Sequence, residues 1–285
     1  MTDFRMERIK QMLILLQKAK YLKRMPLDGW KVSPCEYKKD NTMPNKAAES
    51  FRDFMEDERW GKQLDTHAWF CNHISVPEDW TDGEVRFSIR TGAEGGNDSR
   101  CPQFIAYIDG KMIQGMDDNH TELYVGEYRN FDLDLYAYSG MNGILYEFKT
   151  ELQLIQTDCE QLYYDLRVPM EILEFSEQGS KTYADVLRAL NEAINLMDCR
   201  IPGSKEFFAS VRAAREYLKS ELYSKYFKDQ DTTVICVGHT HIDVAWLWTL
   251  DQTREKVQRS FSTVLQLMKR YPEYRFMSSQ AQLYA

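Results

Sequence analysis

No apolar run in this 285-residue chain is long enough to cross a bilayer. The longest near the start, Met12 to Leu16, lies between Lys10 and Lys18 with no small-residue cleavage site after it, so neither a membrane span nor a signal peptide is expected. A paired-cysteine framework is also missing. Cys35, Cys71, Cys101, Cys159, Cys199 and Cys236 are widely separated and form no CxxC, which points to reduced thiols and a cytoplasmic setting. Lys and Arg (36) are outnumbered by Asp and Glu (44) and gather into no basic stripe, so nucleic acid is not an expected partner. Internal repeats and low-complexity tracts are absent. What remains is an acidic chain, net charge -8, with 43% hydrophobic residues and many aromatics (17 Tyr, 14 Phe, 6 Trp). That composition and length suit a soluble enzyme or binding protein of two ordinary domains, each with its own core.

The opening, Asp3 to Lys23, places Phe4, Met6, Ile9, Leu13, Leu16 and Leu22 at helical spacing, and Pro26 and Gly29 end it. Its mixed-charge polar face predicts a packing helix rather than a membrane-surface one. Lys31 to Asn45, with Pro34 and Pro44, reads as a loop. From Trp60 the texture becomes alternating. Residues 68–76, 84–90, 103–108, 122–125, 131–138 and 151–155 read as short strands separated by turn residues, and together they predict an antiparallel β-sandwich or jelly roll. Asp109-Gly110 suits a tight primed hairpin turn. Helical periodicity returns over Thr182–Leu196 and Lys205–Phe227, a helical hairpin broken at Pro202-Gly203, and Asp229-Gln-Asp231 is a polar link. The β-branched run Thr232 to Val237 then reads as a buried parallel strand. An amphipathic helix over Gln252–Met268 and a strand at Arg275–Ser279 complete a β-α-β unit, the start of a parallel barrel or doubly wound sheet.

Chemistry concentrates just after that run. His239, His241 and Asp243 alternate, so in an extended strand they share one face at its carboxyl end, where α/β folds hold their sites. Imidazole and carboxylate suit a borderline divalent ion such as zinc, which takes four ligands, and this segment offers two or three. Buried, hydrogen-bonded histidines without a metal remain an open alternative. Trp246 and Trp248 follow; one indole facing a sugar and the other packed in the core is the expected division. His67, His73 and His120 read as surface-turn, solvated residues.

Val237-Gly-His-Thr-His-Ile-Asp-Val-Ala-Trp246 closely resembles the first strand of the catalytic domain of glycoside hydrolase family 38, the class II α-mannosidases. Arg254-Glu-Lys, Tyr271-Pro and Phe276-Met-Ser-Ser-Gln-Ala-Gln-Leu-Tyr284 continue the likeness. Upstream, Arg59-Trp-Gly61, Ala68-Trp-Phe70, Val76-Pro77 before Trp80, and Gln103-Phe-Ile-Ala-Tyr-Ile-Asp-Gly-Lys111 with Gln114-Gly115 and His120 resemble the N-terminal region of the cytosolic and vacuolar type. The resemblance implies a galactose-binding-like jelly roll over residues 60–160 after an N-terminal helical arm and linker (1–59). A helical linker (161–230) and the first β-α-β of a truncated (β/α)7 barrel (231–285) follow.

It further implies one divalent metal ion, zinc first and cobalt second, bound by His241 and Asp243, with Trp246 lining the mannose subsite and His239 orienting its neighbours. The remaining ligands, the nucleophile and the acid/base are expected beyond Ala285. The chain then reads as an N-terminal fragment that cannot hydrolyse anything alone, because retaining cleavage needs two carboxyl groups. The full protein is expected to act on mannose-containing oligosaccharides and could assemble as a homo-oligomer. Two other readings stay open: an amidohydrolase-type metal hydrolase using His239 and His241 together, and a non-catalytic carbohydrate-binding or scaffold module.

Overall fold

The apolar spacing at the N-terminus produces helix α1 (Phe4–Ala19), which buries Ile9, Leu13 and Leu16. It stops at Ala19 rather than Lys23 because the chain turns at once into strand β1 (Tyr21–Pro26). The turn is fastened at Lys20, whose carbonyl accepts from the Gln156 amide at 2.7 Å and whose ammonium lies 3.2 Å from Glu160. A computed structural model describes residues 4–36, 46, 50–95, 100–226 and 234–284. It divides into one unit of Met1–Arg24, Trp80–Glu84 and Gln153–Val234 and another of Met25–Asp79, Val85–Leu152 and Ile235–Ala285. Each unit is assembled from separated stretches, a different partition from the linear blocks 1–59, 60–160, 161–230 and 231–285.

The first unit is helical. Helices α2 (Thr157–Glu174), α3 (Lys181–Asn195) and α4 (Lys205–Leu218) are followed by a π-helical turn, Lys219–Tyr223, and a short α5 (Ser224–Tyr226). Ser180 and Ser204 cap α3 and α4, accepting from the Tyr183 and Phe207 amides. One apolar core joins α1 to α2, α3 and α4 through Leu16, Leu162, Leu166, Leu190, Phe207 and Val211. The sequence pattern predicts only the α3–α4 hairpin, and α2 is an addition to it. Pro169 sits inside α2, where it lacks the N–H that would reach the Asp165 carbonyl. The Tyr223 hydroxyl donates to that carbonyl instead, at 3.0 Å, so the helix continues past its proline. No described helix is long and apolar enough to cross a membrane.

The second unit holds most of the strand residues. Its further strands are β2 (Lys31–Cys35), β3 (Arg52–Asp53), β4 (His67–Ser75), β5 (Glu84–Arg90), β6 (Gln103–Ile108), β7 (Lys111–Met116), β8 (Glu122–Tyr124), β9 (Asn130–Tyr138) and β10 (Lys149–Ile155). They form two sheets in the orders β1-β10-β5-β8 and β3-β2-β4-β9-β6-β7. The six alternating segments all appear, and the hairpin at Asp109-Gly110 has φ of 49° and 76°, as a primed turn requires. Residues 31–35 correct the expected loop. Val32 and Ser33 are buried, and among the described residues β3 pairs β2 at Lys31 and Val32 but not at Pro34, whose missing N–H is tolerated there. Residues 37–45 lie outside the described residues.

Helix α6 (Leu250–Arg270), capped by the Thr249 hydroxyl, is the helix expected over Gln252–Met268, but its inward face is the polar one. It buries Gln252, Thr253, Glu255, Arg259 and Ser262 and packs along β7. Val257, Phe261, Val264, Leu265 and Met268 point elsewhere; Phe261 meets the rings of Phe276 and Tyr284. Among the described residues, the strands expected beside it are reduced to a single parallel bridge, Gly238 to Phe276. Val234, Ile235 and Val237 are exposed, whereas a parallel strand needs cover on both faces. Thr232, Thr233 and the link Asp229–Asp231 lie outside the described residues.

Candidate metal and sugar site

The segment from His239 to Trp248 has no regular structure; it loops from the Gly238 bridge to the start of α6. Alternation along a strand therefore does not align its side chains. The loop still brings two of the three together, with His241 Nε2 3.1 Å from Asp243 Oδ1, both side chains exposed. His239 Nε2 lies 3.5 Å from the Ser279 hydroxyl. Ile242, between the pair, is 3% exposed and anchors the loop to the core.

This donor pair fits a zinc ion. Two ligands on a tetrahedral zinc with bonds of about 2.0–2.1 Å sit roughly 3.3 Å apart, close to the observed separation. An imidazole nitrogen and a carboxylate oxygen are the donor types zinc takes. They make half of a coordination shell, for no third His, Cys, Asp or Glu joins them among the described residues.

The two tryptophans differ in their surroundings. Trp246 is 66% exposed, its ring edge-on to Trp248 at 5.6 Å. Trp248 is held, its indole N–H donating to Thr253 Oγ1 at 3.1 Å and its face lying 4.3 Å below the Lys256 ammonium. Burial, and then the Arg259 charge, lower Lys256 to about 8.

Under the loop, α6 meets the sheet through a buried polar cluster that the sequence did not announce. His67 is buried, not solvated, and its Nε2 lies 2.8 Å from Glu255 Oε1. The Tyr136 hydroxyl donates to the same oxygen at 3.1 Å, and Arg259 Nη1 lies 3.6 Å from the other. Burial alone would raise the Glu255 carboxyl, but the His67 hydrogen bond and the charges of His67 and Arg259 outweigh it and hold Glu255 below the usual range. The helix approaches closely because of Gly115, where a Cβ would fall 2.6 Å from Arg259 Cβ and 2.8 Å from its backbone. His73 and His120 do lie on the surface, paired with Asp132 and Asp117.

Residues 25–168 match the family model for the α-mannosidase jelly roll domain, and residues 231–285 match the glycosyl hydrolases family 38 N-terminal domain. Alpha-mannosidase G of Dictyostelium discoideum is 28% identical over 244 residues, covering 77% of this chain and 21% of that protein. Alpha-mannosidase 2C1 of Homo sapiens is 29% identical over 237 residues, 75% of this chain and 21% of its own. An alpha-mannosidase of Saccharomyces cerevisiae is 26% identical over 255 residues, 81% and 23% respectively. The chain thus spans about a fifth of the length of the curated relatives it matches.

Proposed function

The chain belongs to the α-mannosidases of glycosyl hydrolase family 38, and from that premise we propose that His241 and Asp243 hold a divalent metal ion at which a terminal α-linked mannose is bound for retaining hydrolysis. The observation that carries this reading is the 3.1 Å pairing of an exposed imidazole and an exposed carboxylate beside an exposed indole. Zinc is the first candidate and cobalt the second. When bound, the ion supplies Lewis-acid chemistry and charge to polarise sugar oxygens.

The residues of this chain do the rest of the work assigned here. Asp243 offers a carboxylate oxygen and His241 a ring nitrogen, donor types that let the loop bind a cation. Trp246 presents a flat apolar surface to the C–H face of a pyranose. His239, hydrogen-bonded toward Ser279, orients the approach to His241 without binding the ion. Retaining cleavage needs one carboxyl as nucleophile and another as acid/base. Among the described residues Asp243 is the carboxylate placed beside His241, and this segment is assigned to binding the ion and the sugar. Residues 231–285 are assigned to the first β-α-β of a (β/α)7 barrel and the jelly roll to a platform beneath it, and the wide spacing of the cysteines in the sequence supports a cytoplasmic setting.

Isothermal titration of zinc into the metal-free chain tests the assignment. One equivalent is expected, lost with His241→Ala or Asp243→Ala and kept with His239→Ala. Loss as complete with His239→Ala as with His241→Ala would favour a paired-histidine metal site and overturn it. Turnover of an aryl α-mannoside by the 285 residues would contradict the assignment of this segment to binding.

A further inference from the structure

We propose that Thr253 is the positioning residue of the metal-binding loop: its hydroxyl sets the backbone at Asp243 and Ala245 and the indole of Trp248, and through them the affinity for the ion. The inference rests on the reading of His241 and Asp243 as metal ligands.

A threonine hydroxyl has one proton to donate and two lone pairs to accept with. At Thr253 all three are engaged by the loop or by the helix that supports it. The Ala245 amide donates to Oγ1 at 3.1 Å, and the Trp248 indole N–H donates to it at 3.1 Å. The hydroxyl proton faces the Asp243 carbonyl at 3.3 Å and the Thr249 carbonyl at the same distance. One side chain thus grips the loop on both flanks of Val244 and again at its end.

Two further observations show why the grip matters. Ala245 has φ of 64°, a left-handed conformation that an L-residue adopts only when its surroundings impose it, and the bond to Thr253 is the contact its amide makes. Thr253 is also 3% exposed, so water does not readily replace the hydroxyl. The helix bearing Thr253 is itself fixed two residues later, where Glu255 is held by His67 and Tyr136. The jelly-roll sheet therefore reaches the loop through α6.

The test measures zinc affinity of the 285-residue chain by competition with a chromophoric chelator, with amide hydrogen exchange followed in parallel. Thr253→Val, which keeps the shape and removes the hydroxyl, is expected to weaken zinc binding by about 10- to 100-fold, the range for groups that orient a ligand, and to speed exchange at Ala245. Thr253→Ser is expected to restore both. Equal zinc affinity in wild type and Thr253→Val overturns the proposal and leaves the metal assignment standing. Zinc binding undiminished by Asp243→Asn overturns the metal assignment, and this proposal with it. The unaltered chain gives a check that needs no variant to fold: the Ala245 amide is expected to exchange as slowly as the α6 interior, and exchange at the rate of an open loop overturns the proposal.

Discussion

Lys256 lies over the indole of Trp248 with its ordinary value of 10.5 brought down to about 8 by burial and by Arg259. Between those two values the unfolded chain binds more protons than the folded one, so this lysine's contribution to stability rises with pH across that window. Loss of the ammonium also removes a charge from the face of the ring. Emission from Trp248 should therefore titrate with a midpoint near pH 8, and the difference should vanish in Lys256→Met. A midpoint near the ordinary lysine value would show that Lys256 is solvated. The motif residues around it were legible because HxHxD followed by tryptophan is local chemistry. Their alignment was not, since strand alternation predicted three side chains on one face and the loop brings together two.

At the scale of the element, α6 carries the lesson in packing. Its existence was readable from periodicity, and its orientation was misleading, because Val257, Phe261, Val264, Leu265 and Met268 mark an apolar stripe that does not meet the sheet. The face that does is organised by His67 and Glu255, 188 residues apart, a pairing no local pattern contains. Replacing a buried ion pair with well-packed apolar groups is often neutral, whereas removing one partner costs about 3–5 kcal/mol. Glu255→Gln should accordingly destabilise the second unit by a few kcal/mol, read as a drop in thermal midpoint, and a near-zero change would mean that water reaches the cluster.

The Glu255 carboxyl is held below its ordinary value of 4.5 in the folded chain. Its stabilisation is present above that value and is lost as pH falls through the lower folded one. Acid unfolding followed by near-ultraviolet circular dichroism should begin below that range and move upward in Glu255→Gln. Gly115 is the steric counterpart: Gly115→Ala would drive a methyl into the Arg259 backbone, and α6 should become as accessible to limited proteolysis as an undocked helix. In the helical unit, Tyr223→Phe would strand the Asp165 carbonyl opposite Pro169 and cost about 1–3 kcal/mol. The helical linker expected over 161–230 did not single out α2, and the hydroxyl that compensates its proline lies 58 residues away in sequence.

Over the whole molecule, the sandwich, the late helices and the site motif were readable as separate pieces, while the discontinuous make-up of the two units was not. Contacts between distant segments, such as α1 with α2 to α4 or α6 with β7, decide that partition, and periodicity reports only on neighbours along the chain. The central claim is that a loop resting on the jelly roll holds a metal ion through one imidazole and one carboxylate. X-ray absorption at the zinc edge of the loaded chain tests it most directly. The expected result is a shell of nitrogen and oxygen at about 2.0–2.1 Å containing a single imidazole, lost in Asp243→Ala. A sulfur ligand at about 2.3 Å, as the exposed Cys236 thiol would give, or a shell with two imidazoles, would contradict it.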